Sequence, residues 1–305
     1  MYSQHITLIQ AAFSGGAGIS GCELAPSALR QAGLGNALRL TGHWVREAEL
    51  DLTDCAPSGR AALPQLVTAC QRVRTAVDAA LAVGELPILV GGDHSLSIGS
   101  LAAVARHCAQ RRRPLWVLWF DAHADFNTIV TSPSGNVHGM PVAAVCGLGD
   151  AALLAVGDRV PMVDPDHLYL LGVRAVDTVE RELLQGSPVN VYTAQDARDH
   201  GLATLVEGVL RQVAASGGHL HVSLDIDVMD PLVAPGVGSP EAHGIEPQQM
   251  QQALQCIAQS GLLASLDVME LNPLQDFCGV TARLTVGLVE TVVGRAATIR
   301  SAGSF

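Results

Sequence analysis

Short apolar runs alternate with longer stretches of helical periodicity along most of this chain. The apolar runs are too short for typical helices, and their composition is typical of strands buried on both faces of a parallel sheet. The predicted strands are Ile6–Gln10, Pro87–Val90, Leu115–Phe120, His167–Val173, Leu220–Leu224 and Leu263–Val268. The predicted helices are Leu63–Val83, Ile98–Gln110, Leu202–Ala215, Pro247–Gln259 and Val280–Ala296.

This alternation predicts an α/β fold, a three-layer αβα sandwich in which helices cover both faces of a mainly parallel sheet. The 305 residues contain no internal repeat or linker, so we expect a single domain over residues 1–305. Five of the six predicted strands run into polar, glycine-rich or acidic segments. Ligands of open α/β sheets bind outside the carboxyl ends of the strands, and we expect the functional site there.

Composition narrows the class of protein. Hydrophobic residues make up 49% of the chain and charged residues 15%, which suits a large buried core. No apolar stretch reaches the roughly 20 residues of a membrane span, and the N-terminus lacks the features of a signal peptide, so we expect a cytoplasmic protein. The net charge of −11 argues against nucleic-acid binding. Seven scattered cysteines without a Cys-x-x-Cys pair indicate core residues rather than a disulfide framework.

Two aspartate-rich motifs each follow a predicted strand. In an extended backbone Asp121, His123 and Asp125 would point to one side, because side chains alternate with period two. Asp225 and Asp227 would do the same after the later strand. Burying such groups without counter-charge costs several kcal/mol per charge. The two motifs together therefore predict one two-metal site rather than solvated acidic turns.

A third strand end offers the sequence Gly91-Gly-Asp93-His94-Ser95. A single histidine beside a strand end is more often a hydrogen-bonded structural residue. Two aspartate motifs at neighbouring strand ends favour His94 as a further ligand, with Asp93 supporting the ligands from behind.

One rival motif, Gly16-Ala-Gly18-Ile-Ser-Gly21, satisfies the dinucleotide fingerprint G-x-G-x-x-G. That fingerprint requires a helix that begins within the glycines, whereas the helix signal here begins later, at Pro26. We therefore expect a loop near the rim of the site.

Four motifs, taken in chain order, resemble those of the arginase/agmatinase ureohydrolase family. They are Gly-Gly-Asp-His-Ser at residues 91–95, Asp-Ala-His-Ala-Asp at 121–125, Ser-Leu-Asp-Ile-Asp-Val-Met-Asp-Pro at 223–231, and Ser-Leu-Asp-Val-Met-Glu-Leu-Asn-Pro at 265–273. The match runs from about residue 6 to beyond residue 290 and implies the arginase-like fold.

The resemblance implies a hydrolase with two manganese ions. Asp121 and Asp225 would bridge both ions. His94 and Asp125 would complete one ion, and His123 and Asp227 the other. An oxygen-rich set with two imidazoles favours manganese over zinc. Hydroxide shared by the ions, oriented by Asp125, would attack the carbon of a guanidinium group.

The resemblance also implies residues that handle the substrate. Asn127, Ser134 and Asn136 match donors to the α-carboxylate of an amino acid, and Asp177 and Glu180 match acids that face its α-amino group. Turn residues at 134 and 136, and a helix-start acid at 180, remain open alternatives.

Two further residues match catalytic positions. His138 matches the family's proton-shuttle histidine, and Glu270 matches the carboxylate that pairs with the guanidinium. Ser239 stands in the Gly-x-Pro loop where threonine is usual, which bears on affinity more than on chemistry, as do Ala175 and Thr178-Val179. His219, His221 and His243 match no family role.

The implied activity is hydrolysis of L-arginine to L-ornithine and urea by a homo-oligomer, a trimer or hexamer. The alternatives are a sister ureohydrolase acting on guanidinobutyrate or agmatine, and, in a different class, a formimino hydrolase or deacetylase. A non-enzymatic metal-stabilised binding protein would require every substrate match to be coincidental.

Overall fold

The computed structural model describes residues 3–55 and 61–296. Within these residues eight strands form one sheet, and every pairing between them is parallel. The strands are β1 (His5–Gln10), β2 (Trp44–Glu49), β3 (Leu86–Val90), β4 (Leu115–Phe120), β5 (Leu168–Val173), β6 (Asn190–Thr193), β7 (His219–Asp225) and β8 (Leu263–Met269). Their order across the sheet is β2-β1-β3-β8-β7-β4-β5-β6.

Helices pack on both faces of this sheet. They are α1 (Ala25–Gln31), α2 (Leu34–Leu40), α3 (Leu63–Ala82), α4 (Ser97–Arg111), α5 (Pro141–Val145), α6 (Ala151–Leu154), α7 (Thr178–Gln185), α8 (Ala194–His200), α9 (Leu202–Ser216), α10 (Pro247–Ser260) and α11 (Val280–Val293). Helices α1, α2 and α8 to α11 contribute to one hydrophobic core, and α3 to α7 to the other. The predicted three-layer α/β fold is therefore confirmed.

Strand β4 illustrates why the sequence forms this sandwich. Its six residues are all buried. Trp116, Leu118 and Phe120 enter one core, and Leu115, Val117 and Trp119 enter the other. A continuous apolar run is needed because the strand has no solvated face.

The hydrophobic pattern missed the two edge strands, β2 and β6. Strand β2 has only one neighbour and is largely exposed or half-buried, so its sequence is rich in charge. Arg46 of β2 pairs with Glu85 at 2.8 Å, and Glu47 pairs with Arg39 at 2.8 Å. Charged side chains of this kind discourage an edge strand from pairing with another chain.

The last predicted helix is too long at its carboxyl end. Helix α11 ends at Val293 rather than at Ala296, because Gly294 adopts φ 75° and ψ −176°. These backbone angles lie outside the helical region, so the helix cannot continue past this residue. In the part of the chain that the structure describes, no helix has both the length and the apolar character needed to cross a membrane. The cysteines are free, and five of the seven are buried as predicted, whereas Cys256 is half-buried and Cys278 is exposed.

Four neighbouring central strands position the functional residues. The strands β3, β8, β7 and β4 are adjacent in the sheet. His94, Glu270, Asp225 and Asp121 lie at or just beyond their carboxyl ends. Because all four strands run in the same direction, these side chains meet at one edge of the sheet.

Candidate metal centre and active site

The candidate metal ligands converge in two groups. One group is His94, Asp121 and Asp225, and the other is Asp121, His123 and Asp227. Within each group the potential ligand atoms all lie within 4.8 Å of one another, and Asp121 belongs to both groups. The sixth candidate, Asp125, places Oδ2 at 3.3 Å from Nδ1 of His94.

The backbone brings these residues together by a different route from the predicted extended chain. Asp125 adopts a left-handed conformation with φ 50°. Asp227 lies in a 3-10 turn formed by Ile226–Val228. The amide of Asp227 donates to Oδ1 of Asp225 at 2.8 Å, and the amide of His123 donates to Oδ1 of Asp121 at 2.7 Å. The prediction of convergence holds, but tight turns rather than strand alternation produce it.

His94 is held in place on three sides. A side chain at Gly92 would overlap the carbonyl oxygen of Phe13, so the chain before the histidine needs glycine there. The imidazole stacks on Trp119 with ring centroids 4.1 Å apart, and Nε2 lies 2.8 Å from Oγ of Ser223. Its Nδ1 is then directed at Oδ2 of Asp225, at 3.1 Å.

The electrostatics of the cluster favour a bound cation. Burial and the charge of Asp121 raise the pKa of Asp125 well above its usual range, and burial and the charge of Asp227 do the same for Asp225. Burial opposes a charged imidazole, yet hydrogen bonding to Asp121 and the charge of Asp125 raise the pKa of His94 to about 9. Oδ2 of Asp125 is buried without a hydrogen-bond partner among the described residues. A divalent ion would stabilise this arrangement, because it would bind the unpartnered oxygen and reduce the repulsion between the carboxylates. These residues therefore fit a metal centre.

Glu270 and His138 form a pair beside the metal ligands. Oε1 of Glu270 accepts from the amide of His94 at 2.8 Å and lies 2.9 Å from Nδ1 of His138. Burial favours the protonated acid, but the charge of His138 together with the hydrogen bonds from His138 and from the amide of His94 lowers the pKa of Glu270 below its ordinary value. The other oxygen, Oε2, accepts from the buried thiol of Cys22 at 3.2 Å. The contact of Cys22 was not predicted, because no local pattern links residues 248 positions apart.

A cavity of about 330 Å³ opens above the candidate ligands, at the small end of the range of about 300–1,000 Å³ for small-molecule sites. It gathers every residue singled out from the sequence for substrate handling and catalysis. These lining residues are Asp125, Asn127, Ser134, Asn136, His138, Asp177, Glu180, Ser239 and Glu270. Glu241 also lines the cavity and was not predicted.

The acids in the cavity wall differ in how they are engaged. Both oxygens of Glu180 accept backbone amides, that of Phe126 at 2.8 Å and that of Asp177 at 3.1 Å. Glu180 thus joins the segment after Asp125 to the start of α7, the helix-start alternative left open by the sequence. Asp177 accepts a hydrogen bond from Nδ2 of Asn127 at 3.1 Å.

Arg174 holds two loops of the site together. Its guanidinium donates to the carbonyl of Asp227 at 2.8 Å and to that of Met229 at 3.2 Å on one loop. It also donates to the carbonyls of Glu241 at 2.8 Å and Ala242 at 3.1 Å on the other. Arg174 immediately precedes Ala175 and lies three residues before Asp177, but its identity alone did not predict this bridging role.

The glycine-rich loop lies at the rim of the site, as predicted. The amide of Gly16 donates to Oδ2 of Asp93 at 2.8 Å, and its carbonyl accepts from the amide of His138 at 3.1 Å. Helix α1 begins only at Ala25, after a separate 3-10 turn, so the dinucleotide interpretation does not apply. Asp93 accordingly supports the loop, and it also accepts the amide of Ser95 at 3.0 Å at the start of the 3-10 turn that carries His94.

The three unassigned histidines lie outside the cavity. His219 is buried at the start of β7, and His221 is buried in the core with Nδ1 2.9 Å from Oγ of Ser265. His243 is exposed and adopts φ 64°.

Comparison with known proteins identifies similar chains over almost the whole length. Residues 4–294 match the family model described as the Arginase family. An arginase of Brucella melitensis is 37% identical over 95% of this chain and 96% of its own length. The crystal structure of an arginase from Bacillus subtilis superposes with a TM-score of 0.88 at 32% identity, covering 96% of this chain and 99% of that one. An Entamoeba histolytica arginase in complex with L-ornithine superposes with a TM-score of 0.87 at 26% identity, covering 96% and 100%.

Proposed function

The chain belongs to the arginase family of hydrolases, and from that premise we propose that it is a binuclear manganese arginase that hydrolyses L-arginine to L-ornithine and urea. The observation that carries the proposal is one cavity that joins two metal-ligand groups, the Glu270–His138 pair and a wall of polar side chains. None of these features alone would specify a guanidino amino acid.

The residues that would hold the two ions are His94, Asp121, His123, Asp125, Asp225 and Asp227. Their donors are mostly carboxylate oxygens with two imidazoles, a set that favours manganese. When bound, a pair of divalent ions supplies a water that is acidic enough to act as a nucleophile near neutral pH. The carboxylate of Asp125 would accept a hydrogen bond from that nucleophile and orient it, and its buried Oδ2, which has no hydrogen-bond partner among the described residues, supports this role.

Glu270 is proposed to bind the guanidinium group, since a planar carboxylate suits a planar cation. His138 is half-buried at the cavity wall, with Nδ1 2.9 Å from Oε1 of Glu270. Burial opposes a charged imidazole, but the charge and the hydrogen bond of Glu270, with the charge of Asp93, together raise the pKa of His138. A protonated imidazole can donate its proton to the departing amine, which is Nε of L-arginine and becomes Nδ of L-ornithine, and recover a proton from solvent. The residues of this chain thus provide binding at one end of the group and a proton at the other.

The opposite end of the substrate is proposed to bind at the polar wall. Asn127, Ser134 and Asn136 supply neutral donors for the α-carboxylate. Asp177 faces the α-amino group, and Glu180 contributes indirectly by holding the amide of Asp177. Ser239 completes the wall.

The deciding experiment measures urea released by the manganese-loaded protein from L-arginine, agmatine and 4-guanidinobutyrate. The Asp227→Ala variant is the inactive control. A strong preference for L-arginine supports the proposal. Activity confined to another guanidine would keep the metal chemistry but refute the substrate, and no urea from any of them would redirect the search to formimino or amide substrates.

We also propose a single domain over residues 1–305, a cytoplasmic location and a homo-oligomer, a trimer or hexamer. Light scattering coupled to size exclusion measures the oligomeric state directly.

A further inference from the structure

Glu241 is an acid of the cavity wall whose carboxylate has no hydrogen-bond or ion-pair partner within the described part of the chain, although its charge acts on the nearby Arg174. Glu180 is occupied by two backbone amides, Glu270 by His138 and its neighbours, and Asp177 by Asn127. The carboxylate of Glu241 makes no hydrogen bond and no ion pair with any residue in the ranges 3–55 and 61–296. It is half-buried and lines the cavity, so a ligand there can reach it.

The backbone at Glu241 is anchored to the candidate metal loop. Arg174 donates through Nη2 to the carbonyl of Glu241 and to that of Asp227, both at 2.8 Å. Through Nε the same guanidinium donates to the carbonyl of Ala242 at 3.1 Å. The Glu241 side chain therefore starts from a fixed point relative to the reacting end of a substrate.

The charge of the wall defines which ligand group Glu241 suits. The part of the cavity that the structure describes has no lysine or arginine in its lining, and its neutral donors are serine and asparagine side chains. An unpaired carboxylate in such a wall attracts a cation and repels an anion. The reacting guanidinium is already addressed by Glu270, so the cationic group that remains for Glu241 is the amine, which Asp177 is proposed to face as well.

We propose that Glu241 is a specificity-determining residue that binds the primary ammonium group of a guanidino substrate and selects amine-bearing substrates over amine-free ones. The inference rests on the proposed ureohydrolase function and deepens it. L-arginine carries both an α-amine and a carboxylate, whereas 5-guanidinopentanoate has the same carbon chain and carboxylate but lacks the amine. The two substrates therefore isolate the contribution of the amine.

The test compares wild type, Glu241→Gln and Glu241→Asp on these two substrates. A charge-assisted hydrogen bond at a half-exposed site corresponds to about a tenfold change in binding. For Glu241→Gln we expect KM for L-arginine to rise about tenfold with little change in kcat, while kcat/KM for 5-guanidinopentanoate stays the same or rises. Glu241→Asp keeps the charge and should recover part of the preference. Equal changes on both substrates, or no change on either, would overturn the assignment.

Glu182→Gln is the matched control, because Glu182 is exposed on α7 and does not line the cavity. It removes the same charge and should leave both substrates unaffected. Calorimetric binding of L-lysine and of 6-aminohexanoate, which lacks the α-amine, separates the two proposals. If wild type releases urea from no guanidine, the proposed function fails, yet a preference for L-lysine that is lost in Glu241→Gln would still support the role of Glu241. Equal binding of both compounds to wild type would refute it.

Discussion

Trp119 supports the candidate metal centre through two contacts, and the Trp119→Phe substitution separates them. The indole Nε1 donates to Oδ2 of Asp121 at 2.9 Å, and the ring stacks on His94. Phenylalanine keeps an aromatic ring beside the imidazole but removes the N–H donor. Oδ2 of Asp121, the residue shared by both ligand groups, then loses a buried hydrogen bond.

The size of the effect follows from the charge on the acceptor. A hydrogen bond to an ionised group contributes about 1.5–3 kcal/mol, which corresponds to roughly ten- to 150-fold in an equilibrium constant. Groups that orient metal ligands typically change affinity by about 10–100-fold. We therefore expect Trp119→Phe to weaken manganese binding by about 10–100-fold.

The assay is a manganese titration of metal-depleted protein, followed by calorimetry and by recovery of urea release. Trp116→Phe is the control, because Trp116 lies on the same strand and its Nε1 donates at 3.0 Å to Ser216, away from the site. The control should bind manganese like wild type. If Trp119→Phe binds manganese with unchanged affinity while remaining folded, the argument that this hydrogen bond orients Asp121 is wrong.

Three other substitutions test separate parts of the structure. Arg174→Met should lower the free energy of unfolding by roughly 2–4 kcal/mol, since buried loop carbonyls lose their donor; an unchanged denaturation midpoint would contradict this. Cys22→Val removes the hydrogen bond to Oε2 of Glu270 and should raise KM for the guanidine about three- to tenfold in steady-state assays, whereas Cys22→Ser should restore the wild-type KM. Equal KM values in both variants would exclude a positioning role for Cys22. Burial, with nearby positive charge, lowers the pKa of His219 from 6.5 to about 3. The stability gained from a neutral His219 is therefore present above about pH 6.5 and lost as pH falls towards 3, about 2 kcal/mol by pH 5. The free energy of unfolding, measured by denaturation at pH 7.5 and pH 5, should not show this loss in His219→Gln. The control His200→Gln, at an exposed site, should show the same loss as wild type.

The central strands were predictable because their burial requires an apolar run that is visible in the sequence. Strands β3, β4 and β5 are buried along their entire length, so their sequences are apolar without interruption. Edge strands meet water on one side and carry charge, as Trp44–Glu49 does. Such a segment shows neither the apolar run nor the alternation that identifies a strand. The sequence therefore predicted the middle of the sheet and missed its borders.

The candidate ligands were predictable for a related reason. Their residue types and their position after buried strands are local properties of the chain. The backbone conformation that positions them could not be predicted from local sequence. Asp125 and Glu270 adopt left-handed φ angles of 50° and 65°, which are unusual for any residue other than glycine. Surrounding contacts must stabilise these conformations, and unusual backbone angles of this kind concentrate at functional sites.

Those surrounding contacts are what sequence reasoning could not reach. The amide of Glu270 donates to the carbonyl of Gly92, and its side chain meets the amide of His94 and the thiol of Cys22. Each partner is at least 176 positions away along the chain. Carboxylates were evident because metal chemistry restricts ligand types to a few residues. A thiol, an indole N–H or a guanidinium can support a site from many places, so only the folded geometry identifies Cys22, Trp119 and Arg174 as the residues that hold the reactive groups in position.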